Sequence, residues 1–504
     1  MTRRVLNLIV LAIALPILSQ DLKAQDGLDP LLFSTQALNI SASDGPVSPL
    51  GSLIPSVAKA NGFSTFLDNP AAVALLDKGF FSFGYNNNNN NNQTNFLGNS
   101  NSTDRNQGLL TDIGFVYKSP TSRGSLVFGA GYSQQNNFNR RSSFLGFNSS
   151  STITDQFRLD GRQGIAFDVF ATDFGDDAGT FIESIFRIGF APGEFPGISQ
   201  TVDISQSGYV GEFSGFIGTE FQENFYVGAS LGITTGRLSF ERTFIESDIN
   251  GDYNDAFIDA DEDGTPETDI DRLVFRDDNT TEIRGTTLRI GTLYTFDRKV
   301  NIGASYQFRS RLDIEEDFFT SAQTTFDNGN RLESDDSGIF EYDILRPARL
   351  SLGVAVEDLG GFSISGAVDF IDYANTEVDF SASEGSIAEQ IFINNEEIRP
   401  NFQDVINYRV GAEYDVTQNF ILRGGYSYLP ARTNQFVVDR SVLGLGGTFK
   451  LNDSVFFDIS AQYSSFDDRS ILYTFEDFSG QFVDETLDEN IEVINVLAGI
   501  RLIF

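Results

Sequence analysis

From about Lys78 onward the chain falls into segments in which apolar residues alternate with small or polar ones, the period of two expected of strands with one apolar face. The last segment is the clearest. Ile494, Val496, Ala498, Ile500, Leu502 and Phe504 share one face, and Asn495, Gly499 and Arg501 share the other. The stretch 299–314 repeats this, with Val300, Ile302, Ala304, Tyr306 and Phe308 against Asn301, Gly303, Ser305, Gln307, Arg309 and Arg311. Fourteen such segments are predicted, near 78–90, 109–118, 123–134, 208–220, 224–240, 280–296, 299–314, 338–356, 360–378, 403–415, 419–430, 435–451, 454–467 and 490–504. The connections alternate between short and long. The short ones are 119–123, 221–224, 297–299, 357–360, 415–418 and 452–453, and long loops are predicted at 135–207, 241–279, 315–337, 379–402 and 468–489. An even number of strands with short turns at one end and long loops at the other is the pattern of an all-β transmembrane antiparallel barrel, apolar outside and polar inside. A soluble antiparallel sheet also alternates. The number of long segments, the loop rhythm and the terminal Phe504 favour the membrane wall.

The N-terminal part follows different rules. Arg3 and Arg4 precede a nearly apolar run from Val5 to Leu18, with a small residue at Ala24, and this predicts a secretory signal peptide over 1–24. The competing reading, a membrane anchor, needs about 20 apolar residues. No later run approaches that length, so any span must be built of strands. Residues 26–76 are not strand-like. They carry an apolar cluster at Phe63, Phe66 and Leu67 and end in Asn69-Pro70-Ala71-Ala72.

Composition narrows the function. Lys+Arg is 34 against Asp+Glu 71, a formal charge of −37, which argues against a nucleic-acid partner because phosphate binding needs a basic footprint. The chain has no Cys, His or Trp. Disulfides, thiol nucleophiles, histidine-based hydrolytic arrangements and most zinc or iron sites are thereby removed. With 49 Phe and 16 Tyr, an aromatic girdle at the membrane interfaces can be built without Trp.

With the signal peptide, the non-strand segment, the fourteen strands and the terminal Phe in place, the chain resembles the FadL family of outer-membrane transport proteins. The motif that carries the resemblance is Asn69-Pro70-Ala71, preceded by Gly62-Phe63-Ser64-Thr65-Phe66-Leu67-Asp68, with Ala72 where the family usually has Gly. The resemblance implies a hatch over 25–77 inside a barrel over 78–504. It also implies passive uptake of long-chain fatty acids or other hydrophobic molecules, with no catalysis and no required cofactor. The implied partners are outer-membrane lipid and lipopolysaccharide, a hydrophobic ligand, and the barrel-assembly machinery, which reads the final strand. A component of a secretion or surface-attachment machine and a structural or adhesive barrel are the competing functions.

Candidate ligand contacts fall in two places. In the hatch they are Phe63, Phe66, Leu67, Asn69 and Pro70, which either line an apolar pocket or pack the segment against the wall. In the lumen, parity places Arg289, Arg309, Arg349, Arg409 and Arg423 inward, with Arg311, Arg501, Asp369, Glu413 and Asp458. These arginines either receive a carboxylate or form a salt-bridge lattice. Asp259, Asp261, Asp263, Thr265 and Glu267 read as a calcium loop, although the twelfth position is Ile270 rather than Glu. A solvated acidic loop is the alternative. Phe181, Ile182, Ile185 and Phe186 have helical spacing, which predicts a helix in the longest loop, and Asn86–Asn92 reads as a solvated loop tip.

Overall fold

The computed structural model describes residues 40, 48–50, 53–158, 163–175, 179–191, 193–253, 268–297, 299–379, 395, 399–434, 438–477 and 479–504. The predicted signal peptide, most of the first half of the predicted hatch and the calcium-like loop at 259–267 lie outside the described residues.

The strands in chain order are β1 (Phe80–Phe96), β2 (Asn99–Ser119), β3 (Leu126–Asn137), β4 (Arg140–Asn148), β5 (Thr172–Phe174), β6 (Ile182–Ser184), β7 (Ile198–Gln222), β8 (Phe225–Ser247), β9 (Ile270–Phe296) and β10 (Val300–Gln307). They continue with β11 (Ser310–Phe326), β12 (Arg331–Arg346), β13 (Arg349–Val356), β14 (Phe362–Asp372), β15 (Glu377–Asp379), β16 (Asp404–Thr417), β17 (Phe420–Leu429), β18 (Arg440–Lys450), β19 (Val455–Glu476) and β20 (Phe482–Ile503). Apart from the small β5–β6 hairpin, they form fourteen antiparallel staves. Four staves are interrupted, into β3/β4, β10/β11, β12/β13 and β14/β15. Pairing of β1 with β20 closes the barrel. At that closure the terminal Phe504 ring stacks on Phe115 at 5.8 Å and packs on Phe81 at 5.5 Å, while its amide bonds to the Gly79 carbonyl.

The strands run well beyond the membrane. Near the tight turns the exposed face is apolar, as with Leu231 and Ile233 on β8 and Leu288, Ile290 and Tyr294 on β9. Further out the two faces exchange character. On β11 Arg311, Asp313, Glu315 and Asp317 are exposed while Leu312 and Ile314 are buried. Within the bilayer the outward face meets lipid and must be apolar. Beyond it the outward face meets water, and the apolar residues turn inward to a core. This inversion corrects the predicted loops. Most of 241–247, 270–279, 315–326, 331–337, 468–476 and 482–489 is strand.

Two further expectations are corrected. Asn86–Asn92 is the middle of β1, paired on both sides with β2 and β20. The 181–186 stretch is β6 followed by a short 3-10 turn, Ile185–Arg187, rather than an α-helix. Its apolar residues Ile185 and Phe186 instead join the outer core formed with Phe157, Phe244, Phe275 and Tyr473.

Candidate functional site

Residues 48–50 and 53–76 lie inside the barrel, and the wall makes room for them with glycine. Gly218, Gly228 and Gly291 stand side by side on β7, β8 and β9, and Gly411, Gly425 and Gly444 do so on β16, β17 and β18. A Cβ at Gly228 would strike the Pro70 carbonyl, and one at Gly425 would strike the Leu53 carbonyl. The Asn69-Pro70-Ala71 motif is a turn that also anchors. Asn69 Oδ1 accepts the Ala71 amide at 2.9 Å, and Asn69 Nδ2 donates to the carbonyls of Val57 at 2.7 Å and of Thr292 on β9 at 3.1 Å. Phe66 stacks on the wall residue Phe216 at 4.7 Å with Phe63 edge-on, and Leu67 is buried in the same cluster.

Charge holds this inner segment as well. Arg409 on β16 bridges Asp68 of the segment at 3.0 Å and Asp369 on β14 at 3.0 Å. Lys59 pairs with Glu413 at 2.8 Å, which in turn accepts from Arg423 at 3.1 Å. Arg289 clasps Glu212 with both terminal nitrogens, at 2.6 and 2.9 Å. Arg501 meets Asp458 at 2.7 Å. Arg289, Arg409 and Arg423 are thus committed to carboxylates. Burying such charges is tolerable only when they are paired and hydrogen-bonded.

Arg309 is corrected. It lies outside the lumen, 41% exposed and paired with Glu377 at 3.1 Å; Arg311 is 51% exposed and paired with Asp343 and Asp379. The inward residues of β10 are odd-numbered (Asn301, Ser305, Gln307) and those of β11 even-numbered (Ser310, Leu312, Ile314), so the register slips at Phe308-Arg309. One extra residue flips every side chain beyond it. The same slip at Pro347-Ala348 turns Arg346 inward, a residue that a single parity across 338–356 misses.

Arg346 and Arg349 are the exceptional cations. They are 4% and 8% exposed, and among the described residues neither has a carboxylate within 4.0 Å. Arg346 donates to Ser310 Oγ at 3.0 Å and Thr287 Oγ1 at 2.7 Å, and Arg349 donates to the Leu67 carbonyl at 2.9 Å. Arg349 stands in one row with Gln307 and Arg289 across β13, β10 and β9. Beyond Arg346, the inward side chains Ile344, Tyr342, Leu312, Ile314 and Ile283 form an apolar cluster. The lumen therefore presents a cationic floor beneath an apolar wall.

The outer end is closed by the segment between β4 and β7, whose Ile153, Phe157, Ile185 and Phe186 fill the mouth of the extended strands. Glu246, thirteen residues beyond Ile233 on β8 and so outside the membrane band, is fully buried beneath it. Its carboxyl accepts from the Ile153 amide at 2.9 Å, Thr152 Oγ1 at 2.5 Å and Gln200 Nε2 at 2.8 Å. Burial holds its pKa up at about 7 despite these bonds.

A seam lies between β2 and β3/β4. The β2–β3 ladder ends at Asp112 and Ser133. Further out, contacts from β2 to β4 are made by side chains: Asn101 Nδ2 donates to the Ser143 carbonyl at 2.8 Å and Thr103 Oγ1 to the Arg141 carbonyl at 2.7 Å.

Comparison with known proteins agrees with this architecture. Residues 212–500 match the family model described as outer membrane protein transport protein (OMPP1/FadL/TodX). Alkane uptake protein A of Marinobacter nauticus is 28% identical over 171 residues, covering 30% of this chain and 36% of that protein. The chain thus matches about a third of the length of that curated relative. Among solved structures, the toluene transporter TbuX of Ralstonia pickettii aligns with a TM-score of 0.51 at 14% identity, covering 91% of this chain and 98% of that one. The toluene transporter TodX of P. putida aligns at 0.50 and 13% identity, covering 90% and 97%. A FadL homologue of Pseudomonas aeruginosa aligns at 0.50 and 13%, covering 91% and 98%. These likenesses are of fold.

Proposed function

Because this chain belongs to the OMPP1/FadL/TodX family of outer-membrane transport proteins, we propose that it carries hydrophobic small molecules inward, and that its ligand bears an anionic head, as a long-chain fatty acid does. The observation that supports this is the pair Arg346 and Arg349. A guanidinium buried without a carboxylate is costly, whereas one that receives a ligand carboxylate gains a charge-assisted, bidentate partner. The apolar cluster of Ile283, Leu312, Ile314, Tyr342 and Ile344 would hold the chain of such a molecule.

In this reading residues 48–50 and 53–76 are the described part of the hatch expected over 25–77. Passage to the periplasm requires Phe63 and Phe66 to leave Phe216 and Asp68 to leave Arg409. The seam between β2 and β3/β4 offers a route sideways into the bilayer, because fewer backbone bonds oppose its opening. No cofactor and no catalytic residue are invoked. The described residues of the outer segment that pack over Glu246 (Ile153 and Phe157 with Ile185 and Phe186) serve as the lid, and release of Glu246 from Thr152 and Ile153 would accompany its opening.

The test is equilibrium binding of oleate and of an alkane of equal chain length to the purified barrel, with Arg349→Leu and Arg346→Met. Tighter binding of oleate, reduced at least tenfold by either substitution (about 1.4 kcal/mol), is expected. Equal binding of both ligands, unmoved by the substitutions, would replace the anionic-head reading with uptake of plain hydrocarbons.

A further inference from the structure

The asparagine run of β1 does more than complete a sheet. Its even-numbered members point inward, and cross-strand register sets Asn88 level with Asn495 on β20 and with Gln107 on β2, while Asn495 is level with Gln462 on β19. Four carboxamides therefore form one row across four neighbouring strands, a shelf about 14 Å wide at about 4.8 Å per strand. The row is fixed by its own bonds. Asn86 and Asn88 both donate to Asn495 Oδ1 at 2.9 Å, and Asn88 Oδ1 accepts from Asn139 at 3.0 Å.

Much hydrogen-bonding capacity is left over. Asn86 Oδ1, Asn90 Oδ1, Gln107 Oε1 and Gln462 Nε2 are buried without a partner. Eleven of the twenty such atoms among the described residues lie on β1, β2, β3, β19 or Asn139, so they concentrate on one side of the barrel. Buried polar atoms ordinarily find partners. Asparagine is also a poor strand former, so local propensity does not account for a run of seven in a strand. The row itself carries no charge, so it offers little to an ion. A hydroxyl donates to a carboxamide oxygen and accepts from a carboxamide nitrogen, and several hydroxyls on one small scaffold would satisfy both kinds of leftover atom.

We propose that the row Gln462–Asn495–Asn88–Gln107, with Asn86 and Asn90 beside it, is a second lumenal subsite that binds an uncharged, hydroxyl-rich group on an amphipathic molecule. The proposal rests on the reading of this barrel as a carrier of small amphipathic molecules, and it extends the substrate class beyond simple carboxylates and hydrocarbons.

The experiment uses the full barrel in an amine-oxide detergent, which offers no sugar hydroxyls. Hexyl β-glucoside and 1-hexanol are titrated by calorimetry against a detergent blank, with oleate as an independent probe of Arg349. The wild type should bind the glucoside at least tenfold more tightly than the alcohol. Gln462→Leu and Asn90→Leu should each erase most of that preference and leave oleate affinity unchanged. Equal affinity for glucoside and alcohol in the wild type, which needs no variant to fold, would overturn the proposal and leave the row as a hydrated wall. A preference that survives both substitutions in barrels that still bind oleate would overturn it too. Loss of oleate binding to the wild type would instead count against the anionic-head reading.

Discussion

Asp68 and Arg409 are 341 residues apart in the chain and 3.0 Å apart inside the barrel, and Arg409 holds Asp369 of the wall at the same time. One guanidinium thus ties the inner segment to β14 and β16. Removing one partner of a buried pair typically costs about 3–5 kcal/mol, because the other charge is left stranded. Arg409→Leu takes the contacting cation from two buried carboxylates and should lower the unfolding free energy by that order in a denaturant titration. Asp68→Asn leaves Arg409 with Asp369, so it should loosen the inner segment while the wall stays folded. Higher dye leakage through liposomes carrying D68N than the wild type is the expected sign. A tight D68N barrel would show that the segment is held chiefly by Asn69 and its glycine-lined seat.

Arg346 should behave in the opposite way to Arg289. It has hydroxyl partners but no carboxylate, whereas Arg289 clasps Glu212. Arg346→Met therefore removes a buried charge that has no carboxylate in contact and should stabilise the barrel by about 1–3 kcal/mol. Arg289→Met should destabilise it by about 3–5 kcal/mol. The midpoints of guanidinium unfolding compare the two directly, and a loss of stability in R346M would mean that the cation is already compensated.

The outer lid should respond to pH through Glu246. Its carboxyl titrates near 7 when buried and in the ordinary carboxylate range when exposed, so closing the lid takes up a proton between those values. Stability of the closed lid is then highest at the acid end. It falls as pH rises toward about 7 and levels off above it. The change should be on the order of 1–3 kcal/mol. Amide exchange at Ile153 and Phe157 followed from pH 5 to 8 reports it, and Glu246→Gln should flatten the profile.

The asparagine run offers a test of fold that the cysteine-free sequence makes clean. In β1 Asn92 is buried and Gln93 exposed, as neighbours on a paired strand must be. A single cysteine at 93 should react with a membrane-impermeant maleimide much faster than one at 92. Equal rates at both positions would return this stretch to a loop.

The chain's own pattern determined a good deal. Alternation in the last strand and in 299–307 follows directly from a wall that meets lipid on one side, so barrel class, strand number and tight turns were legible. Arg289, Arg409 and Arg423 were placed in the interior by the same parity, because no register shift falls within the paired stretch around each arginine; the shift at Asp415/Thr417 on β16 sits at the turn itself. Parity failed at Arg309 and Arg346, where Phe308-Arg309 and Pro347-Ala348 each insert a step; Pro347, which cannot donate to a ladder, was a local sign of the second, whereas nothing in the sequence marks the first. It also failed in the outer strands, where solvent replaces lipid and charged faces such as Glu315, Asp317 and Glu333 look like loop. The asparagines were misread for a related reason. Their composition argues for a turn, and only pairing with β2 and β20 along their whole length holds them extended. Which arginines pair with a carboxylate depends on Asp68, Glu212, Asp369 and Glu413, which are brought to them from other strands and from the inner segment. A linear sequence records that such charges exist, but only closure of the barrel around residues 48–50 and 53–76 decides which of them meet.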